Sequence, residues 1–215
     1  MKDFPVFTTE YGVASLILRE VPYRQEAYIH IQASETPEEL LKECVSFCRM
    51  VGAEQVFALG HAYLEHYPLH SMIYEMRGQA HVDETLVEHL WPVTAETVGK
   101  WRTMMNERLA PVDHASTLES RQEKEIIASG GAYFVHHDGE LLGGGWIEDG
   151  EVKLVAAFQP GAGMRVMHTL MSLMPGQQIR LDVVSTNAKA LRLYEKLGFI
   201  RTAEVRRWHR VFPAD

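Results

Sequence analysis

Two stretches near the C-terminus combine residue types that could bind an anion and move a proton. The first, FQPGAGMRVMHTLM, leads from a strand-like run into a helix through a turn that contains Gly161 and Gly163. The N–H groups of a helix's first turn are free and partly positive, and glycine lets an anion approach the backbone closely. The turn could therefore hold a diphosphate, although similar turns also serve as simple connections.

The second stretch, NAKALRLYEKLGF, follows the strand-like run IRLDVVST, and Asn187 stands where that strand ends. The spacing of Leu191, Tyr194 and Leu197 predicts one stripe of a helix that faces a sheet. Tyr194 would then be half packed, with its hydroxyl able to reach a cleft. Taken alone, a tyrosine in such a stripe is more often part of the core.

The elements that must position these residues form an alternating pattern of strands and helices. Residues 6–32 read as two strands, FTTEYGVASLILREV at 7–21 and EAYIHIQ at 26–32. Thr36, Pro37 and Glu39 resemble the capping box of a helix that ends before Gly52. A strand, a short helix and another strand follow, and the polar run GQAHVDETL predicts a domain boundary at 80–84.

The part after that boundary begins with the strand VEHLWPV and two helices, the second ended by Gly130–Gly131. Three strands, AYFVHH, LLGGGWIE and EVKLVAAF, follow, joined by Asp138–Gly139 and Asp149–Gly150, a pair typical of tight hairpins. The two parts of the chain share an order of hairpin, helix, strand, short helix and strand, so an internal repeat is a hypothesis. The fold class predicted is α/β of the α+β type, with units at 1–80 and 83–215.

Composition excludes several classes of function. The formal charge of −8 argues against a nucleic acid as the partner, because phosphate binding requires a basic face. No apolar run is long enough to span a membrane, and residues 1–10 lack the apolar segment of a secretory signal, so a cytoplasmic location is expected. Cys44 and Cys48 read as small core residues of one helix, and the scattered histidines predict no metal site.

Together the two stretches resemble the GNAT acetyltransferase superfamily. NAKALRLYEKLGF is similar to the family pattern N-x-x-A-x-x-L-Y-x-x-x-G-F, and the resemblance covers roughly residues 84–212. It implies a mixed, mostly antiparallel and splayed sheet flanked by helices. It also implies acetyl-CoA as cosubstrate, held between the strand that ends near Phe158 and the strand that ends near Asn187. Residues 1–80 would then be a smaller, degenerate GNAT-like half.

The resemblance also implies roles for individual residues. The end of the first strand would bind the pantetheine arm and polarise the thioester carbonyl, the turn would bind the diphosphate, and Asn187 would line the slot. Tyr194 would protonate the departing thiolate. The residues implied to bind the cosubstrate are Ala156, Ala157, Phe158, Gly161, Ala162, Gly163, Met164, Asn187 and Tyr194.

The turn departs from the family's Q/R-x-x-G-x-G/A pattern, and two registers fit it. In the preferred register Gly161 and Gly163 are the two glycines, and Val166, Met167, Leu170, Met171 and Met174 form one buried helix face. In the other register Gln159 takes the Q/R position, and His168 and Ser172 fall on the buried face. Cosubstrate binding would be weakened in either case.

The sequence does not identify a single general base or a single set of acceptor-binding residues. Candidates for the base are Glu148, Glu151, His114 and His209, with a chain of water molecules as the alternative. The acidic residues Glu107 and Asp113 border a loop where relatives build the acceptor pocket, and either could bind an amine. Trp146 is either core or pocket wall.

The function predicted is acetyl-CoA-dependent N-acetylation of a primary amine of a small molecule or a peptide. Direct transfer is expected, because neither cysteine lies in the GNAT-like part. The alternatives are an acyl-CoA-binding or ligand-sensing module without catalysis and a structural domain, and a homodimer is left open.

Overall fold

The computed structural model describes residues 6–213 and divides the chain into two compact units. Unit 1 comprises residues 1–72 and 206–215, and unit 2 comprises residues 73–205. Residues 1–5, which the sequence reading found to lack a secretory segment, lie outside the described residues. The compact units divide at 72/73 instead of 80–84, so the proposal of a GNAT-like half at 1–80 and a domain at 83–215 stays a prediction.

Both units contain strands and helices. The strands are β1 (Val6–Thr9), β2 (Gly12–Ile17), β3 (Glu26–Ala33), β4 (Gln55–Leu59), β5 (Leu69–Gln79), β6 (His89–Pro92), β7 (Ala132–His137), β8 (Glu140–Glu148), β9 (Glu151–Ala157), β10 (Gln178–Val184) and β11 (Ile200–Phe212). The helices are α1 (Val21–Arg24), α2 (Pro37–Met50), α3 (Val98–Leu109), α4 (Glu123–Ser129), α5 (Gly163–Met171) and α6 (Ala188–Lys196). Short 3₁₀ helices lie at Ala62–His66, Glu84–Leu86 and Ser120–Gln122.

Unit 1 has the sheet order β1-β2-β3-β4-β11, in which only β3 and β4 are parallel. The helix α2 packs its apolar face on this sheet through Leu40, Leu41, Cys44 and Cys48. Both cysteines are buried and free, which confirms them as core residues. Burial raises the pKa of Cys44 to about 11 and of Cys48 to about 12, so neither is a ready nucleophile.

Two local predictions in unit 1 are wrong. Residues 7–21 are not one strand, because the chain turns at Glu10–Tyr11 and pairs Thr9 with Gly12 in a hairpin. The turn lacks the Asn-Gly or Asp-Gly pair that would have predicted it. Helix α2 does begin at Pro37, but the Thr36 side chain forms no capping bond. The N–H of Thr36 instead bonds the Ser34 hydroxyl at 3.1 Å.

Unit 2 has the strand order β11-β5-β10-β9-β8-β7-β6. Only residues 200–205 of β11 and 73–79 of β5 belong to this unit, and the rest of each strand belongs to unit 1. Strands β9 and β10 are parallel, as expected of strands joined by a crossover helix, here α5, and the pairs β5–β10, β8–β9, β7–β8 and β6–β7 are antiparallel. The helices α5 and α6 border one apolar cluster, and α3 and α4 border another. This layered mixed sheet confirms the predicted fold class.

Strand β8 explains how the helices come close to the sheet. A Cβ on Gly143 would lie 2.6 Å from Val166 Cγ2, and one on Gly145 would lie 2.4 Å from Leu170 Cδ1, both atoms of α5. A Cβ on Gly144, which faces the other way, would lie 2.9 Å from the indole nitrogen of Trp101 on α3. The three glycines therefore let one helix approach on each face.

Candidate functional site

A gap opens between the two parallel strands of unit 2. Strand β10 pairs with β5 at seven positions, but it pairs with β9 at only two, Arg180 with Glu151 and Leu181 with Val152. Strand β9 stays paired with β8 as far as Ala157. The edge of β9 from Lys153 to Ala157 therefore presents backbone groups that β10 does not use, and an extended ligand can bind such an edge as an added strand.

The parallel pair of unit 1 has no such gap. Strands β3 and β4 pair at five consecutive positions, from Glu26 with Gln55 to His30 with Leu59. Backbone groups between these strands are thus occupied by the ladder itself. Of the two parallel pairs among residues 6–213, β9 and β10 are therefore the pair that separates, and the slot implied for this place stays a prediction.

A turn and a helix N-terminus follow the open edge of β9. The N–H of Phe158 bonds the Leu142 carbonyl at 2.8 Å, and the N–H of Ala162 bonds the Gln159 carbonyl at 3.3 Å. Gly161 has φ of +83°, a conformation that favours glycine. Helix α5 begins at Gly163, so the N–H groups of its first turn have no acceptor within the helix and can bind an anion.

Helix α5 is buried on more than the face that the preferred register predicted. That predicted face is confirmed, since Val166, Met167, Leu170, Met171 and Met174 are all buried. His168 and Thr169 are buried as well. The Nδ1 of His168 accepts the N–H of Asp83 at 3.1 Å, and the Thr169 hydroxyl accepts the N–H of Glu88 at 2.9 Å. Burial lowers the pKa of His168, although Asp83 opposes the shift.

Asn187 begins helix α6 as its N-cap. Its side-chain oxygen accepts the N–H of Ala190 at 3.1 Å. This bond satisfies one of the free donors of the first turn and gives the residue a structural role beside the implied one in the slot. Leu193 of the same helix lies against the start of α5, since a Cβ on Gly163 would be 3.1 Å from Leu193 Cδ2.

We expect Asn187→Ala to lower the free energy of unfolding by about 1 kcal/mol, because the cap bond is lost. Thermal denaturation measures the effect, and Asn187→Ser, which can still cap the helix, is the matched control. If Asn187 also lines the slot, the serine variant will melt like the wild type but bind CoA more weakly. Equal CoA affinity in the serine variant and the wild type would leave Asn187 as a cap only.

Tyr194 lies in the predicted stripe with Leu191 and Leu197, and all three side chains are buried. The stripe is therefore confirmed. Its ring lies 6.0 Å from that of Phe199, and burial raises the pKa of Tyr194 to about 12. Its hydroxyl has no hydrogen-bond partner among residues 6–213. A hydroxyl that stays protonated and unpaired at the end of a largely buried ring is suited to donate to a ligand atom.

The carboxylates considered as general bases are not brought to the slot. Glu148 and Glu151 lie at the β8–β9 turn, and Glu151 is six residues from Ala157, or roughly 20 Å along the strand. Although burial opposes it, contacts with Lys153 and Arg180 lower the pKa of Glu151. His209 belongs to unit 1, where its Nδ1 lies 3.1 Å from the Tyr67 carbonyl.

The two proposed amine-binding residues lie at the end of α3 and in the loop that follows it. Glu107 is exposed on the last turn of α3, and Asp113 lies in the loop itself. His114, the remaining candidate base, has a positive φ of 58° in the same loop. Trp146 lies in the apolar cluster with Trp101 and Met105, which places it in the core.

Sequence reasoning missed two features of this region. Arg108, on the last turn of α3, donates a hydrogen bond to the carbonyl of Phe158 at the end of β9. Arg165, on the first turn of α5, pairs with Glu88, whose second oxygen lies 2.7 Å from His137 Nδ1. Each of these two arginine contacts joins residues that are 50 or more positions apart in the sequence, so no local sequence pattern predicts it. By contrast, the run Gly143–Gly145 could have predicted from the sequence that other elements pack closely on this strand.

Within residues 6–213, no group of three or more His, Cys, Asp or Glu side chains is arranged to hold a metal ion. No helix in that range is long and apolar enough to cross a membrane.

The fold is similar to solved acetyltransferase structures. A GCN5-related N-acetyltransferase from Sphaerobacter thermophilus aligns with a TM-score of 0.57 and 13% identity, over 92% of this chain and 75% of its own. A GCN5-related N-acetyltransferase from Anabaena variabilis aligns with a TM-score of 0.59 and 10% identity, over 92% of this chain and 58% of its own. A GNAT-family acetyltransferase from Colwellia psychrerythraea aligns with a TM-score of 0.50 and 12% identity, over 95% of this chain and 83% of its own.

No family model matches the chain, and no curated protein matches its sequence. The structural likeness nevertheless defines the class: the chain has the GNAT fold, as the sequence pattern predicted. At these identities the likeness extends to the fold alone.

Proposed function

We propose that the protein is an acetyl-CoA-dependent N-acetyltransferase that moves the acetyl group directly to a primary amine of a small molecule or a peptide. The observation that carries this proposal is the gap between β9 and β10, which pair at two positions only. The gap ends at a helix N-terminus suited to a diphosphate, and Tyr194, a largely buried tyrosine with an unpaired hydroxyl, lies on the following helix. An extended ligand with a diphosphate at one end and a thioester at the other fits this set of groups.

The cosubstrate supplies an activated acyl group as a thioester. The open edge of β9, ending at Ala156 and Ala157, would align the pantetheine arm through backbone hydrogen bonds, whereas the N–H of the next residue, Phe158, is already bonded to the Leu142 carbonyl. A backbone N–H on this edge would also stabilise the negative charge that develops on the acetyl oxygen during attack. One well-placed donor of this kind contributes about 3–4 kcal/mol to lowering the barrier.

The turn and the tyrosine would act at the two ends of the leaving group. The first-turn N–H groups of α5, from Gly163 and Met164 onward, would bind the diphosphate, with Gly161 and Ala162 shaping the approach. Tyr194 would donate its hydroxyl hydrogen to the sulfur as the carbon–sulfur bond breaks. The amine must lose a proton before or during attack, and ordered water is the route proposed, because β9 carries no carboxylate between Val152 and Ala157.

A second candidate is an acyl-CoA-binding module without catalysis. It is favoured by the same stretch of β9, which has no acidic side chain beside the slot, and by the high pKa of Tyr194. The two candidates share the binding step and differ in turnover. Release of free thiol in the presence of a panel of amines therefore separates them.

The first test is the melting temperature with and without acetyl-CoA. A ligand at about 100 times its Kd, bound only by the folded chain, stabilises it by about 2.7 kcal/mol. For a chain of 215 residues we expect a rise of roughly 5–10 °C. Pantetheine at the same concentration, which lacks the diphosphate, is the control and should give a smaller shift. No shift with millimolar acetyl-CoA would contradict both candidates.

A further inference from the structure

The turn that would bind the diphosphate has little positive charge of its own. Residues 159–164, QPGAGM, contain neither lysine nor arginine. The first basic residue of the helix, Arg165, is paired with the buried carboxylate of Glu88. The amide of Gln159 also lies 3.4 Å from Glu140, so a carboxylate stands beside the turn. A diphosphate would meet only the partial charge of a helix end, opposed by that carboxylate.

Arg108 brings a full positive charge to this place from another element. Its guanidinium donates to the carbonyl of Phe158, the residue directly before Gln159. It forms no ion pair among residues 6–213. By contrast, Arg102 on the same helix is held by Glu123 at 2.8 Å. Four of the five N–H groups of Arg108 remain available to a ligand.

We propose that Arg108 binds the diphosphate of CoA and supplies the charge that the turn lacks. The inference rests on the proposed binding of acetyl-CoA. The bond to Phe158 fixes the guanidinium at the end of the open strand, where the chain enters the turn. A guanidinium with fixed orientation can donate two parallel bonds to phosphate oxygens, which a flexible ammonium does not do.

Lys189 is the competing source of charge. It lies on the first turn of α6, four residues before Leu193, whose side chain lies against the position of Gly163. Residues four apart share a helix face, so Lys189 is on the side of α6 that borders the start of α5. It has no fixed contact with the turn comparable to the Arg108–Phe158 bond, and for this reason we assign the diphosphate to Arg108.

The experiment measures the dissociation constants of CoA, dephospho-CoA and pantetheine by calorimetry for wild type and variants. Arg108→Gln should weaken CoA and dephospho-CoA equally, by roughly 10- to 100-fold, and leave pantetheine unchanged, because only the first two carry the diphosphate. Arg108→Lys keeps the charge but loses the planar guanidinium that can donate two parallel bonds, so its affinity for CoA should lie between those of the wild type and the glutamine variant. Lys100→Gln, an exposed lysine of α3 with the same change in charge, is the matched control and should bind all three ligands like the wild type.

Each other outcome overturns the inference in a distinguishable way. If wild type binds CoA and Arg108→Gln binds it within twofold, Arg108 does not contact the diphosphate, although the proposed function stands. If the loss appears for pantetheine as well, Arg108 acts on the strand end through Phe158 and not on phosphate. If Lys189→Gln carries the loss and Arg108→Gln does not, the charge comes from α6. If wild type binds none of the ligands, the inference and the proposed function fail together.

Discussion

Tyr194→Phe should lower kcat by about 10²- to 10⁴-fold and leave the affinity for CoA within about twofold of wild type. The variant removes one hydroxyl, and that hydroxyl has no hydrogen bond to residues 6–213 that its loss would break. The loss of rate is the typical contribution of a positioned general acid. Steady-state release of thiol with the best amine acceptor measures kcat, and calorimetry with CoA measures binding.

The control for this experiment is Tyr133→Phe, which changes a half-buried tyrosine of β7 in the same unit. It should turn over like the wild type. A Tyr194→Phe variant as fast as wild type would remove Tyr194 from the chemistry. Equal losses in kcat and in CoA affinity would instead make Tyr194 a binding residue.

The raised pKa of Tyr194 defines what kind of acid it can be. Its pKa is about 12, whereas an alkyl thiol has a pKa of about 8.5. Complete proton transfer from tyrosine to a solvated thiolate would then be uphill by about 5 kcal/mol. The thiolate would, however, lie in the same apolar surroundings, which raise its pKa too. The hydroxyl is therefore neutral at every ordinary assay pH, so it can hydrogen-bond the developing charge and pass its proton to the sulfur as the carbon–sulfur bond breaks.

Local patterns predicted the parts of the site that depend on neighbours in sequence. The apolar period placed Val166, Met167 and Leu170 on the buried face of α5, and the spacing of Leu191 and Tyr194 gave the stripe of α6 correctly. These patterns repeat with the pitch of the helix, so a single element determines them. The roles of these residues toward acetyl-CoA stay predictions.

Local sequence patterns could not predict which distant strands pair with each other. Strand β5 precedes the predicted boundary, yet its residues 73–79 pair with β10 in unit 2. His209, Arg210 and Phe212 at the end of β11 pair with β4 in unit 1. Alternation along a strand tells which face a residue occupies but not which strand lies beside it. The same limit applies to Arg108, whose bond to Phe158 depends on how α3 packs on the sheet.

Gly143→Ala should destabilise the chain more than any other single-methyl change near the slot. The added Cβ would lie 2.5 Å from the backbone oxygen of Ala156 and 2.6 Å from Val166 Cγ2. A backbone oxygen cannot rotate away as a side chain can, so β9 or α5 must shift. Overpacking of this kind costs about 1–3 kcal/mol, and we expect the melting temperature to fall by roughly 3–10 °C.

The control is Gly99→Ala, which adds the same methyl group to α3. There the nearest atom, Glu123 Oε1, would be 3.8 Å away, and alanine is the better helix former. Gly99→Ala should therefore raise the melting temperature while Gly143→Ala lowers it. Because Ala156 belongs to the open edge proposed to align the pantetheine arm, Gly143→Ala should also reduce the thermal shift that acetyl-CoA produces. A destabilised Gly143→Ala variant with the full acetyl-CoA shift would place the cosubstrate away from this edge, and an unchanged melting temperature would contradict the close packing of β8, β9 and α5.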